Sequence, residues 1–164
     1  MKNKHKKPSA DIVYLDSNVI SFYFSMLPEA KFFRDATREW WKKRRADFFI
    51  CSSPTAVEEL GDGDYLHQEE TLRFIGKVGL LPINDEIEEL ARFYIKNKLA
   101  PDENKKGFRG DAYHLAVCAF YKVDYLLSWN QRHLANVNKL KHLNRVNEKL
   151  GLHTPMIVTP LQLM

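Results

Sequence analysis

Cysteine is scarce: two thiols, Cys51 and Cys118, stand in a chain of 164 residues. Both lie in apolar surroundings, "FFICSS" and "HLAVCAF". That excludes a disulfide framework and suits buried free thiols in a reducing cytoplasm. Cysteine and histidine also lack the paired spacing of a zinc site. No apolar run is long enough to span a bilayer, and "MKNKHKKPSA" leads into no clean signal-peptide core. Residues 1–10 therefore read as a flexible basic arm, and residues 11–164 as one domain. Internal repeats and low-complexity linkers are absent too. What is present is ample apolar material, 45% of residues, which is enough for a real core. A net charge of +4 favours polyanions without establishing that the chain binds nucleic acid.

Apolar strand-like runs alternate with helical patterns. The strand candidates are Ile12–Leu15, Phe48–Cys51, Leu80–Ile83, Tyr125–Ser128 and Met156–Val158. Between them, Ser53-Pro54 and Asn84-Asp85-Glu86 read as helix starts, and Gly151 reads as a stop. This alternation predicts an α/β fold with a central parallel sheet of about five strands and helices on both faces.

In such sheets, ligands bind beyond the carboxyl ends of the strands. Asp16 follows the first strand in "VYLDSNVI", and Asn130 follows the fourth in "DYLLSWN". Asp111 opens the helix leading into that fourth strand. "TAVEEL" supplies Glu58 and Glu59; adjacent helical residues point about 100° apart, so one of them faces the rim. Val57 and Leu60 do not separate the two. Clustered carboxylates repel one another unless a cation neutralises them. Oxygen ligands suit magnesium or manganese rather than zinc.

The segments "VYLDSNVI", "TAVEEL" and "GDAYHLAVCAFYKVDYLLSWNQRHLAN" resemble the PIN-domain nucleases, in particular the VapC-like toxins of type II toxin–antitoxin pairs. The resemblance runs from about Asp11 to the closing "IVTPLQL". It implies a PIN-like domain and a metal-dependent endoribonuclease that hydrolyses RNA phosphodiester bonds. Asp16, Glu59 and Asp111 would be ligands of Mg²⁺ or Mn²⁺, and Asn130 would assist catalysis. Asn130 stands where the family often has an aspartate, which bears on occupancy of a second metal. The resemblance further implies a cognate antitoxin and a homodimer.

Each candidate also has a plainer reading. Asp16 and Asp111 sit where helix-capping or first-turn acids belong, and Asn130 can cap "QRHLAN". Ser17 and Ser128 flank the rim as phosphate or ligand supports, or as structural hydroxyls. Asp124 reads as a turn residue, and Asp62 and Asp64 as a helix-ending loop. His114 reads as a partly buried helix residue, and neither it nor His133 belongs to a zinc motif. "REWWKKRR" reads as a helix with one core tryptophan and a solvated cationic face; the sharper reading is a nucleic-acid platform. Trp129 stands beside the site, and the polar loop Ala100–Gly110 overhangs Asp111. Two rival functions are a PIN-like module that binds RNA without cleaving it and a phosphoryl-transfer domain of the same layer class. The latter wants an acidic pair at the first strand, or a second aspartate where this chain has Asn18.

Overall fold

A computed structural model describes residues 10–103, 106–130, 134 and 136–164. Most of the expected N-terminal arm, and His133, lie outside the described residues.

Five parallel strands form one sheet: β1 (Ile12–Leu15), β2 (Phe49–Ser52), β3 (Gly79–Leu80), β4 (Tyr125–Leu127) and β5 (Met156–Val158). Their spatial order is β3-β2-β1-β4-β5. The helices are α1 (Ser17–Phe24), α2 (Lys31–Arg44), α3 (Pro54–Leu60), α4 (Gln68–Ile75), α5 (Asp85–Lys96), α6 (Asp111–Phe120) and α7 (Val137–Leu150). This is the α/β architecture that the alternating pattern predicts.

The two faces follow from strand alternation. Val13, Leu15, Leu127 and Val158 point into a core shared with Val19 and Ile20 of α1, Trp40 of α2, Leu60 of α3 and Ile75 of α4. Tyr14, Cys51, Leu126 and Ile157 point into the opposite core, with Ile87 of α5, Leu115 of α6 and Leu143 of α7. Both thiols are free and buried, as expected. In "REWWKKRR", Trp40 is fully buried while the cationic side chains face outward. Among the described residues, no helix is long and apolar enough to cross a membrane.

Boundaries shift for physical reasons. β2 begins one residue late because Phe48 turns its ring against Trp40, stacked at 6.2 Å. β3 is shorter than expected. Leu81 still donates to the Ser52 carbonyl at 2.8 Å, but Pro82 has no N–H with which to continue, and Leu81 and Ile83 pack into the core instead. Asn84 caps α5 by accepting from the Ile87 N–H at 2.9 Å. Ser53 holds the N-cap position of α3 without capping; its hydroxyl bonds Tyr14 instead, 2.6 Å away.

Sheet order decides where a site can form. From β1 the chain first builds outward through β2 and β3, then returns to the other side of β1 for β4 and β5. The carboxyl ends of β1 and β4 are therefore adjacent at the point where the order reverses, and a crevice opens there.

Candidate active site

Asp16 leaves β1 at that crevice. It holds the N-cap position of α1, yet its carboxylate makes no capping hydrogen bond. Instead it accepts from Ser128 Oγ at 2.5 Å and Asn18 Nδ2 at 2.9 Å, with Ser17 Oγ at 3.2 Å. The residue is 3% exposed. A buried carboxylate gathered by side chains from β1's exit and β4's exit is placed for the crevice, not for the helix.

Of the two adjacent glutamates, Glu59 faces the crevice. Its Oε2 accepts from Ser17 Oγ at 2.5 Å, and its Oε1 accepts from the Gly110 N–H at 2.8 Å. Glu58 points aside and accepts from the Phe108 N–H at 3.0 Å, which pins the loop before α6. Gly107 in that loop has φ +72°, and a Cβ there would collide with the Glu58 carboxylate. The positive φ favours glycine, and a larger residue would also have to displace the Glu58 carboxylate.

Asp111 begins α6 after Gly110, whose φ of 102° again favours glycine. Its backbone N–H donates to Glu103 Oε2 at 3.0 Å. Asn130, just beyond β4, brings its Nδ2 within 3.3 and 3.2 Å of the two Asp111 carboxylate oxygens. Burial, reinforced by the negative charge of Asp16, pushes the Asp111 carboxyl up to about 7. Asp16, Glu59, Asp111 and Asn130 thus line one cleft of about 250 Å³, together with Ser17, Asn18, Asp62, Glu103 and Arg109.

His114 has more to do than a partly buried helix residue. It is fully enclosed beneath the cleft floor. Its Nε2 lies 2.9 Å from Glu59 Oε2 and 3.4 Å from Asp16 Oδ1, and its Nδ1 lies 2.7 Å from the Tyr14 hydroxyl. Burial alone would push its basicity down, but the Asp16 and Glu59 carboxylates outweigh that and raise it to about 9. The imidazole is therefore a cation at neutral pH. Glu59 responds in the opposite sense. Burial would raise its carboxyl, but the charge and hydrogen bond of His114 hold it down to about 2.

Asp16, Glu59 and His114 each present a possible metal-ligand atom, all within 4.8 Å of one another. In the metal-free cleft, the His114 imidazole stands against both carboxylates and can offset their charge. Asp111 is not one of that close group; it lines the same cleft, and burial and the charge of Asp16 disfavour its ionised form. The carboxylate oxygens gathered here are of the ligand type that hard divalent cations prefer.

The remaining residues fall as follows. Ser128 supports Asp16 and also accepts from the Asn130 N–H at 2.9 Å. Trp129 donates its N–H to Asn18 Oδ1 and its indole N–H to Thr37 Oγ1, both at 2.9 Å, so it braces the wall of the cleft. Asp124 accepts from the Ile12 N–H at 2.8 Å and stands outside the cleft. Asp62, read from sequence as a loop acid, lines the cleft and pairs with Arg109. The helix proposed for "QRHLAN" lies mostly outside the described residues.

Comparison with known proteins adds the fold's company. No family model matches the chain, and no curated protein matches it. Solved structures do. A toxin–antitoxin complex from Klebsiella pneumoniae aligns with a TM-score of 0.54 at 19% identity, over 90% of this chain and 97% of that one. VapBC2 from Rickettsia felis, bound to a DNA fragment from its promoter, aligns with a TM-score of 0.55 at 11% identity, over 90% and 98% of the two chains. At these identities the likeness shows a common fold.

Proposed function

We propose that the chain is a metal-dependent endoribonuclease of the PIN type, acting as the toxin of a toxin–antitoxin pair. The observation that carries this reading is the convergence of Asp16, Glu59 and Asp111, with Asn130, in one cleft at the carboxyl ends of β1 and β4. The resemblance in sequence and the shared fold with two toxin–antitoxin structures support it.

In this reading Asp16, Glu59 and Asp111 hold Mg²⁺ or Mn²⁺. An ion held there would supply Lewis acidity toward the phosphodiester and toward an attacking water molecule. The chain's own groups keep the ligands in place. Ser128 and Asn18 fix the Asp16 carboxylate from two sides. His114, oriented by Tyr14, fixes Glu59 and offsets one negative charge. Asn130 holds Asp111 through both carboxylate oxygens without adding a charge of its own. With an amide at that position, three carboxylates balanced by one imidazolium suit a single divalent ion better than two. Surface lysines and arginines draw RNA toward the cleft. A cognate antitoxin, a homodimer and cytoplasmic action belong to the same proposal, as does the division into a basic arm, residues 1–10, and a nuclease domain, residues 11–164.

The test is a metal requirement. Purified protein is incubated with RNA in Mg²⁺ or Mn²⁺, with and without excess EDTA. Cleavage that stops on chelation and returns with added metal supports the reading. Undiminished cleavage in EDTA refutes it.

A further inference from the structure

Arg109 has no part in the ligand set, yet it lines the same cleft. Among the described lining residues it carries the only positive side chain, opposite Asp16, Glu59, Asp111, Glu103 and Asp62. An RNA phosphate approaching this cleft meets mostly negative charge, and a single divalent ion offsets only part of it. A second cation at the mouth lowers that barrier directly.

The local backbone is built to aim this residue. Its two neighbours are pinned by successive residues of α3: the Phe108 N–H by Glu58 at 3.0 Å and the Gly110 N–H by Glu59 at 2.8 Å. The side chain itself is less committed. Nη1 lies 3.0 Å from Asp62 Oδ2, but Asp62 is 67% exposed, and a pair so open to solvent is weak. Nε is 3.8 Å from Glu58 Oε2 and makes no hydrogen bond. The contact recorded with Asp62 joins one guanidinium nitrogen to one oxygen, whereas a phosphate can engage the fork through two.

We propose that Arg109 binds a phosphate of the RNA substrate, and that Asp62 holds the guanidinium at the cleft until RNA displaces it. The proposal rests on the ribonuclease reading above. The alternative is a structural pin, in which the Arg109–Asp62 pair only fastens the loop to the end of α3. The two differ in what Asp62 does. If Asp62 is a competitor for the guanidinium, removing its charge frees Arg109 for RNA. If it is half of a pin, removing it harms the loop as much as removing Arg109.

A fluorescein-labelled single-stranded RNA is titrated by anisotropy in calcium over a range of salt concentrations, and its cleavage is followed in manganese. Arg109→Ala should weaken binding about tenfold, the size of one charged hydrogen-bonded contact. It should also reduce the slope of log affinity against log salt by about 0.7, the signature of one lost phosphate contact on a single strand. Asp62→Asn should tighten binding and keep the slope. Thermal unfolding checks each variant, and Arg109→Gln, which keeps the length of the stem, replaces the alanine variant if that does not fold. An unchanged affinity and slope in the Arg109 variant overturns the proposal while parental cleavage keeps the ribonuclease reading. Equal weakening by Asp62→Asn and Arg109→Ala overturns it in favour of the pin. A parent that neither binds nor cleaves RNA removes both.

Discussion

Replacing Asp111 by asparagine should make the metal-free protein more stable above neutral pH. The Asp111 carboxyl is raised from an ordinary 3.8 to about 7 by burial and by the charge of Asp16. Because the folded-state value lies above the unfolded one, its contribution to stability is full below about pH 4 and is lost as pH rises through about 7. Each pH unit across that interval corresponds to about 1.4 kcal/mol, so ionised Asp111 costs up to about 4 kcal/mol at pH 8. Asparagine carries no charge at any pH, keeps an oxygen for Asn130 Nδ2, and leaves the backbone bond to Glu103 untouched. In EDTA at pH 8 the variant should melt about 10 °C above the parent, given about 2–4 °C per kcal/mol for a domain of this size. At pH 4 the gain should vanish. Adding Mg²⁺ should narrow the gap at pH 8 by stabilising the parent alone. Differential scanning calorimetry at both pH values, with and without metal, reads all of this. A variant no more stable than the parent at pH 8, or a gain of equal size at pH 4, refutes the reasoning.

Glu59→Gln should abolish RNA cleavage, while Glu58→Gln should leave the chemistry and instead loosen the loop through Phe108, seen as faster amide exchange there. The reverse ranking moves the ligand by one position. His114→Ala should destabilise the fold by about 3–5 kcal/mol at pH 7, because it strands the Glu59 and Asp16 carboxylates without their buried counter-charge. Urea unfolding measures this, and a loss under about 1 kcal/mol contradicts the charged state assigned to the imidazole.

The fold was legible because its signals are local. A run such as Ile12–Leu15 announces a buried strand, and the alternation with amphipathic helices announces a parallel sheet. Asp16, Asp111 and Asn130 could be placed because each sits at the end of a strand or the start of a helix, where the topology alone assigns a rim. Glu59 was ambiguous from residue pattern, because Val57 and Leu60 flank both glutamates equally. What separates the two is the loop before α6, fifty or so positions away in sequence. His114 is the clearest miss. Its partners, Tyr14 and Glu59, lie 100 and 55 residues distant, and no periodicity carries that information. The same holds for Ser53, whose position promises a helix cap while its hydroxyl serves the Tyr14–His114 chain. Asp62 reads as a turn acid until the fold brings Arg109 across from it. β3 is shorter than its apolar run suggests because the ladder stops after the Leu81 N–H, where Pro82 has no donor, and Leu81 and Ile83 pack into the core.

The central claim is that the carboxylate leaving β1 is chemistry and not a cap. Asp16→Asn tests it, with cleavage of RNA in Mn²⁺ as the readout. Asparagine caps a helix about as well as aspartate does, so a capping role predicts parental activity. A ligand role predicts loss of most cleavage, because a neutral amide binds a hard cation poorly. Near-parental cleavage by Asp16→Asn contradicts the account.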